Sequence, residues 1–504
     1  MKAWLDSFFA QRTILRFGGG DPQFLSDLMK SAREGHLCLR SLAPSLPSQM
    51  VSDGSEPFPQ TPIVQEANRY YLQRNWVYET TICREVKRLL KKMEAPDKWE
   101  QFIEREALLP AQARAIEHAI FHQLTILSGG PGTGKTYTAG HLVKTLARLS
   151  PVKRLYKVCL AAPTGRAAQH LSSSLKNRGQ EMEVKTETLH RLLHLQPGKS
   201  KLFTGQKIDA DLIIVDEASM IDVDLWAHLL EAVGAETRLV LIGDPDQLPP
   251  VEAGSIFADL SDLFGVRLER SMRTDKKDLQ SLGEAIRVAD IAGVLQLFSE
   301  GVGAPLPTQS DFFFEKIDPP VYKEKPDPSL CLRYFDRLRI LSALRQGPLG
   351  VDALNLAVLQ KYTQKLSWGD YWAIPIMVSS NDPRLGLYNG SCGILIGAFR
   401  ESFRPREGIA YFPDSISGEM RPFNPAVLPH FEWAFALSVH KSQGSEFEHV
   451  FALFPPGSER FGREALYTAA TRAKKSLKMA IDEVVLKEML ANCARKASGI
   501  KERF

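Results

Sequence analysis

Between Leu124 and Leu149 the chain reads LTILSGGPGTGKTYTAGHLVKTLARL: an apolar run, a glycine-rich loop, then an amphipathic stretch. Few features restrict a fold as tightly. Gly129 to Thr136, GGPGTGKT, meets the spacing G-x-x-x-x-G-K-[ST], with a strand before it and a helix after it. The glycines let successive backbone N–H groups close around phosphate oxygens at a helix N-terminus. A strand must deliver that loop and a helix must receive it, so this part of the chain is committed to α/β structure. Gly129, Gly130, Pro131, Gly132, Thr133, Gly134, Lys135, Thr136 and the adjacent Tyr137 are the expected contacts to ATP. Lys135 is expected at the β/γ-phosphates and the Thr136 hydroxyl at Mg2+.

Around this motif, apolar strands alternate with helical stretches: LTILSG, VCLAAP, DLIIVDEAS and RLVLIGD. Such alternation points to a parallel sheet covered on both faces. LIIVDEAS carries the chain to Asp216 and Glu217 at a strand's C-terminal end, where ligands bind in such sheets. Asp216 suits the Mg2+ shell, and Glu217 suits orienting and deprotonating an attacking water. A nucleotide switch needs one acid; the second favours hydrolysis. Gly198-Lys199-Ser200 in QPGKS lacks the upstream glycine and the strand, and reads as a turn.

At 504 residues the chain is long enough for several domains, and 44% hydrophobic with 24% charged residues is ordinary for a globular protein. A net charge of +4 permits a nucleic-acid partner without arguing for one. Six scattered cysteines without a C-x-x-C pair suit reduced thiols, and no apolar run approaches a membrane span, so a cytoplasmic protein is expected. The first hundred residues read as largely helical, divided by the Pro/Ser-rich LAPSLPSQMVSDGSEPFPQTP. GVGAPLPTQSDFFFEKIDPPVYKEKPDPS reads as a linker or loop, after which a second α/β region begins at LRYFDRLRILSALRQ. Inside it, IPIMVSSNDPRLGLYNGSCGILIGAF, with its Asn389-Gly390 turn, reads as a small antiparallel insertion.

Several polar residues gain meaning only together. Gln247 in GDPDQLPPVEAG is placed to sense a γ-phosphate, and Gln112 in LLPAQARAIEHAI to read an adenine edge; alone, either is an ordinary surface glutamine. Arg273 in LERSMRTD and Arg472 in LYTAATRAKK offer positive charge from far along the chain, which phosphoryl transfer needs; in isolation, arginines are more often salt-bridged or solvated. Near the end, VHKSQGSEF is a polar connector between two apolar runs.

The ordered set Gln112, GGPGTGKT, APTGRAA, TLHRLL, DEAS, GDPDQLPPVEAG, LERSMR, VHKSQGSEF and YTAATRAKK resembles superfamily-one helicases of the 5′-to-3′ branch. Within that branch it is similar to the RecD family, the alpha subunits of bacterial exodeoxyribonuclease V. LDSFFAQRTILRF, GHLCLRSL and RYYLQRNWVYETTI are similar to that family's amino-terminal domain, which docks onto a RecC subunit. The resemblance implies two RecA-like parallel-sheet motor domains with ATP between them, a mostly helical N-terminal domain and an SH3-like β insertion. The implied boundaries are 1–100 for docking, 101–275 for the first motor, with a short pin near 195–209, 276–330 for a hinge, and 331–504 for the second motor, with the insertion near 376–433. Lys135, Glu217, Gln247, Arg273 and Arg472 would then be catalytic, Glu446 would approach ATP, and Gly444 would let the backbone come close. Pro163, Thr164, Arg166, Thr188, His190, Asn381, His440 and Lys441 would contact DNA, with Ser379 and Ser380 beside them. His190 also reads as a helix-start residue and Asn381 as a turn residue.

The implied activity is ATP-dependent 5′-to-3′ movement on single-stranded DNA, with Mg2+ as cofactor. Single-stranded and duplex-end DNA and RecB-like and RecC-like subunits would be the partners, and no membrane. The alternatives are a stand-alone relative acting on DNA or RNA, a nuclease in its own right, and an inert scaffold. Glu85-Val86-Lys87 and Glu183-Val184-Lys185 resemble parts of nuclease sites but lack converging carboxylates.

Overall fold

Strands covered on both faces carry unbroken apolar runs, and the strand that delivers the glycine-rich loop is buried at every position. The structure, a computed structural model, describes residues 2–42, 44–56, 58–94, 97–150, 154–165, 167–168, 182–195, 205–269, 277–307, 312–382, 384–414 and 418–504. Arg166, Arg273 and the 196–204 part of the expected pin lie outside the described residues.

The N-terminal region has the helices Lys2–Phe17, Pro22–Arg33 and Gln73–Leu89. It also has a small sheet that a helical reading of this region passes over: β1 (Cys38–Arg40), β2 (Val51–Ser52), β3 (Ile63–Glu66) and β4 (Arg69–Leu72), in the order β1-β4-β3-β2. These strands are too short to display the alternation that reveals a strand in sequence. Glu85 sits on Gln73–Leu89 with its carboxylate held by Arg84 and Arg88 at 2.9 and 2.7 Å.

The first large sheet contains β5 (Leu124–Gly129), β6 (Tyr156–Ala162), β7 (Met182–Thr188), β8 (Leu212–Val215), β9 (Arg238–Gly243) and β10 (Gly265–Leu268). All pairings are parallel, in the order β10-β5-β9-β8-β6-β7. This order decides the chemistry. It puts the C-terminal ends of β5, β9 and β8 side by side, and with them the glycine-rich loop, Asp244 and Asp216. Edge strand β7 is mostly exposed or half-buried, so it has no apolar run to betray it.

Downstream come β11 (Gly303–Ala304) and β12 (Leu338–Ser342). An antiparallel sheet follows: β13 (Tyr371–Val378), β14 (Cys392–Ala398), β15 (Ile409–Pro413), β16 (Met420–Phe423) and β17 (Phe431–Trp433), in the order β16-β15-β14-β13-β17. The parallel sheet then resumes with β18 (Ala436–Ser438), β19 (Phe447–Phe454) and β20 (Ala473–Ile481), in the order β11-β20-β19-β12-β18. Two parallel α/β sheets, one carrying a five-stranded antiparallel insertion, are thus the architecture.

Two segments differ from the sequence reading. The 276–330 stretch, expected as a hinge, carries regular structure among its described residues. It forms the helices Lys277–Arg287, Ile291–Leu297 and Phe312–Ile317 and supplies β11, which pairs with β20. Leu282, Ile286 and Val294 are buried in the second motor's core, an apolar pattern that the prolines and charges nearby obscured. The last residues leave the second sheet altogether. Ala497 N–H donates to His36 Nδ1 (2.8 Å), Gly499 N–H to the buried Glu79 (3.0 Å) and Arg495 to Asp262 (2.8 Å). The C-terminal tail therefore lies across the N-terminal region and the first motor.

Candidate nucleotide and nucleic-acid site

The glycine-rich loop is built by close approaches that side chains would block. A methyl on Gly129 would meet Thr133 Oγ1 at 2.7 Å, and one on Gly134, where φ is +85°, would meet Gln112 Nε2 at 2.5 Å. Gln112 is buried; its Oε1 accepts from Leu109 N–H (3.0 Å) and its Nε2 donates to Thr133 O (3.3 Å). It thus braces the loop from the start of the helix Pro110–Phe121. Lys135 Nζ donates to Gly129 O (2.6 Å) and Gly130 O (2.9 Å), folding back on the loop that phosphates would fill. Thr136 is half-buried on the first turn of Lys135–Leu149. Tyr137 is exposed, its hydroxyl on Ala107 O (3.0 Å).

Asp216 and Glu217 follow β8. The Asp216 carboxylate accepts Glu217 N–H (2.8 Å), and burial pushes its pKa up against the pull of Lys135. Glu217 adopts φ +52°, left-handed backbone that is rare for a non-glycine residue and recurs at functional sites. Asp244, which the sequence reading quoted but assigned no role, ends β9 beside them. It is 1% exposed, burial raises its pKa, and Lys135 opposes that rise. Its carboxylate accepts Gln247 Nε2 at 2.9 Å. The signal was present: Asp244 follows a buried strand as directly as Asp216 does.

The second motor closes over this face. Arg472 is buried at the end of the helix Gly462–Ala470. It donates to Ser445 O (3.1 Å), Thr468 O (3.2 Å) and Thr471 Oγ1 (3.2 Å). Burial lowers its pKa, and the charges of Glu217 and Asp244 on the first motor oppose that. Thr468 Oγ1 accepts Leu248 N–H (2.9 Å), and Gln443 Nε2 donates to Leu248 O (3.0 Å). A methyl on Gly130 would lie 2.8 Å from the Tyr467 hydroxyl, a residue that sequence reasoning also missed. Between the two walls is a cavity of about 630 Å3, lined by Gly130, Pro131 and Thr133 on one side and Tyr467, Ala470 and Thr471 on the other.

The connector VHKSQGSEF is a 3-10 turn, His440–Ser442, followed by Gly444 at φ +68°. A methyl on Gly444 would stand 3.8 Å from Glu217 Oε1, so the loop's tip reaches the first motor's acid. His440 packs edge-on against Phe461, and burial beside Lys496 and Arg460 lowers its imidazole pKa to about 4. Lys441 pairs with Glu432 (2.7 Å) and Glu446 with Lys474 (3.5 Å). Thus Gln443 and Gly444 meet the first motor, while these two charges are engaged within the second.

Of the remaining candidates, Pro163 and Thr164 are half-buried where β6 ends, Thr188 ends β7, and His190 is exposed on the next turn. Asn381 Oδ1 accepts Asn389 N–H (2.8 Å) on the rim of the antiparallel insertion.

Two family models match: an AAA domain over residues 112–253 and a UvrD-like helicase C-terminal domain over residues 433–479. The chain is 33% identical to the RecBCD enzyme subunit RecD of Mycolicibacterium smegmatis, covering 86% of this chain and 82% of that protein. It is 29% identical to the RecD subunit of Haemophilus influenzae over 89% and 83% of the two chains. Among solved structures it is similar to the Pif1 helicase of Candida albicans, at 17% identity and a TM-score of 0.45, over 78% of this chain and 97% of that one. By its identity to the mycobacterial subunit over most of both lengths, the chain belongs to the RecD family of RecBCD enzyme subunits.

Proposed function

We infer that the cleft between the two parallel sheets is the engine of an ATP-dependent DNA helicase that moves 5′ to 3′ on single strands as the alpha subunit of a RecBCD-type complex. The observation that carries this reading is the meeting of the two motors at Glu217: a methyl on Gly444 would stand 3.8 Å from its Oε1, and the buried cation Arg472 of the second motor is near enough to feel the charges of Glu217 and Asp244. A site divided in this way hydrolyses only when the halves are closed, so closure and chemistry are coupled. Lys135 would exchange the carbonyls of Gly129 and Gly130 for the β/γ-phosphates, and Glu217 would take the proton of the attacking water. Gln247, held by Asp244, would sense the γ-phosphate, and Gln112 the base. Arg472, with Arg273, would offset charge on the phosphoryl group in flight.

Buried carboxylates with raised proton affinity suit a divalent cation, and Asp216 with the Thr136 hydroxyl would hold Mg2+, whose charge would stabilise the phosphate oxygens. Pro163, Thr164, Arg166, Thr188, His190 and Asn381 would carry the strand. His440, neutral and packed on Phe461, would line its path rather than pair with phosphate. Lys441 would reach DNA on leaving Glu432.

RecB-like and RecC-like subunits complete the reading. The first helix buries Ala10 but exposes Trp4, Leu5, Phe8, Phe9 and Leu15, which helical spacing puts on one side. Such a face suits a RecC-like partner. Among the described residues no helix is long and apolar enough to cross a membrane, and the reading puts the protein in the cytoplasm.

The test is ATP hydrolysis by the chain, alone and with its partners, with and without single-stranded DNA. Stimulation by DNA is expected, and Lys135→Ala should abolish turnover while leaving the thermal transition in place. A well-folded wild type that single strands never stimulate overturns the motor reading.

A further inference from the structure

The DNA candidates of the two motors meet at one side chain assigned no role so far. On the first motor is the turn Pro163-Thr164-Gly165 at the end of β6; on the second is the loop between β13 and β14, with Asn381 at its start. Tyr388 joins them. A methyl built on Gly165 would lie 2.3 Å from Tyr388 Cγ, 2.5 Å from Cδ2 and 2.8 Å from Cβ. The ring therefore rests on bare backbone that no other residue type at position 165 would expose without a shift.

The loop that presents the ring is pinned on every side. Tyr388 N–H donates to Ser391 Oγ (3.1 Å), Ser391 N–H to Tyr388 O (2.9 Å) and Gly390 N–H to Val378 O (2.8 Å). Asn389 N–H donates to Asn381 Oδ1 (2.8 Å), and Asp382 and Leu387 form a bridge across the loop base. Tyr388 stays half-buried rather than entering either core, although the neighbouring Leu387 is buried. An aromatic held firmly at a seam, partly open, between two sets of polar strand-binding candidates has the composition of a single-strand groove.

We propose that Tyr388 is a base-stacking residue of the single-strand path, resting on Gly165 until a nucleotide enters the seam between the 163–165 turn and the 384–391 loop. The proposal rests on the motor reading and names one of its binding contacts. The ring carbons make the contact with Gly165, so a phenylalanine would serve as well. The base is bound by its face, so no sequence preference follows. Because the ring and its seat lie on different motors, the stack also depends on how far apart the halves stand, and its grip changes as they open and close.

The test uses the full chain and oligonucleotides carrying one 2-aminopurine, moved position by position, whose fluorescence is quenched on stacking. Wild type should quench most strongly at one position. Tyr388→Ala should weaken single-strand binding about fivefold to a hundredfold and lose quenching there. The salt dependence should be unchanged, because phosphate contacts remain. Tyr388→Phe should keep both affinity and quenching. If Tyr388→Ala does not fold, Tyr388→Leu fills the space without a π face, and the same loss is expected. Unchanged affinity and quenching in the alanine or leucine variant, with only a lower melting temperature, overturns the proposal and leaves Tyr388 as packing between domains. Should wild type neither bind single strands nor respond to them in hydrolysis, the motor reading falls and this contact with it; a responsive wild type with indifferent variants sinks this contact alone.

Discussion

Replacing Arg472 with alanine separates what that side chain does for chemistry from what it does for the fold. Its guanidinium ends on three acceptors, Ser445 O, Thr468 O and Thr471 Oγ1, and feels the charges of Glu217 and Asp244. Removing it takes a donor from Ser445 O, at about 1–3 kcal/mol if water does not replace it, whereas Thr468 O keeps the Thr471 hydroxyl at 2.9 Å. A stability loss of roughly 1–3 kcal/mol is expected, read as a lower denaturation midpoint. On catalysis, a cation lent to the transferring phosphoryl group contributes about 10³-fold or more, or at least ~4 kcal/mol of barrier. ATP affinity should fall much less than turnover, because the phosphate loop is untouched. Arg472→Lys keeps a charge but lacks the fork that reaches three acceptors, so it should recover stability only in part and turnover little. The assay is steady-state hydrolysis with saturating single-stranded DNA, paired with equilibrium binding of a fluorescent nucleotide and a urea titration. If Arg472→Ala keeps turnover within about tenfold of wild type, the reasoning that a second-motor cation completes the site is refuted.

Three further outcomes follow from the same geometry. Asp244→Asn keeps the shape of a buried side chain next to Lys135 and Gln247, so the protein should fold, while DNA-stimulated turnover drops by about tenfold or more in the same hydrolysis assay. Gly444→Ala forces a Cβ into left-handed backbone, at about 1 kcal/mol of stability, and puts a methyl next to Glu217 Oε1; turnover should fall while nucleotide binding holds. For His440 the folded-state pKa, about 4, lies below the ordinary 6.5, so the unfolded chain binds the extra proton first. Stability should therefore decline as pH falls from about 6.5 toward 4, by at most about 3 kcal/mol, and denaturation of His440→Gln across that range should show a shallower decline.

The phosphate loop was legible in the sequence because its function is local. Consecutive glycines, one lysine and one hydroxyl must be adjacent in the chain to be adjacent in space, and the flanking strand and helix announce themselves by period. Asp216 and Glu217 were legible for a related reason, since a buried run ending in two acids specifies where they emerge. The antiparallel insertion could be read from its apolar runs and its Asn-Gly turn. Short strands such as β1 to β4, the exposed edge strand β7, and the helices of 277–317 could not, because their patterns are too brief or too mixed in composition.

What the sequence by itself determined is the parts: a nucleotide loop, an acid pair, an arginine and a polar connector, each recognisable from its neighbours in the chain. Only the tertiary structure decided which parts touch. Strand order put Asp244 between the phosphate loop and Asp216, and packing of one motor on the other brought Arg472, Tyr467 and Gly444 to that face and laid Tyr388 on Gly165. The reason is one of range. Hydrogen-bond and apolar periodicity are set by residues a few positions apart. Contacts across 200 residues or so depend on how whole sheets bury their faces, as Leu248 and Thr468 do, and they leave no periodic trace in the chain.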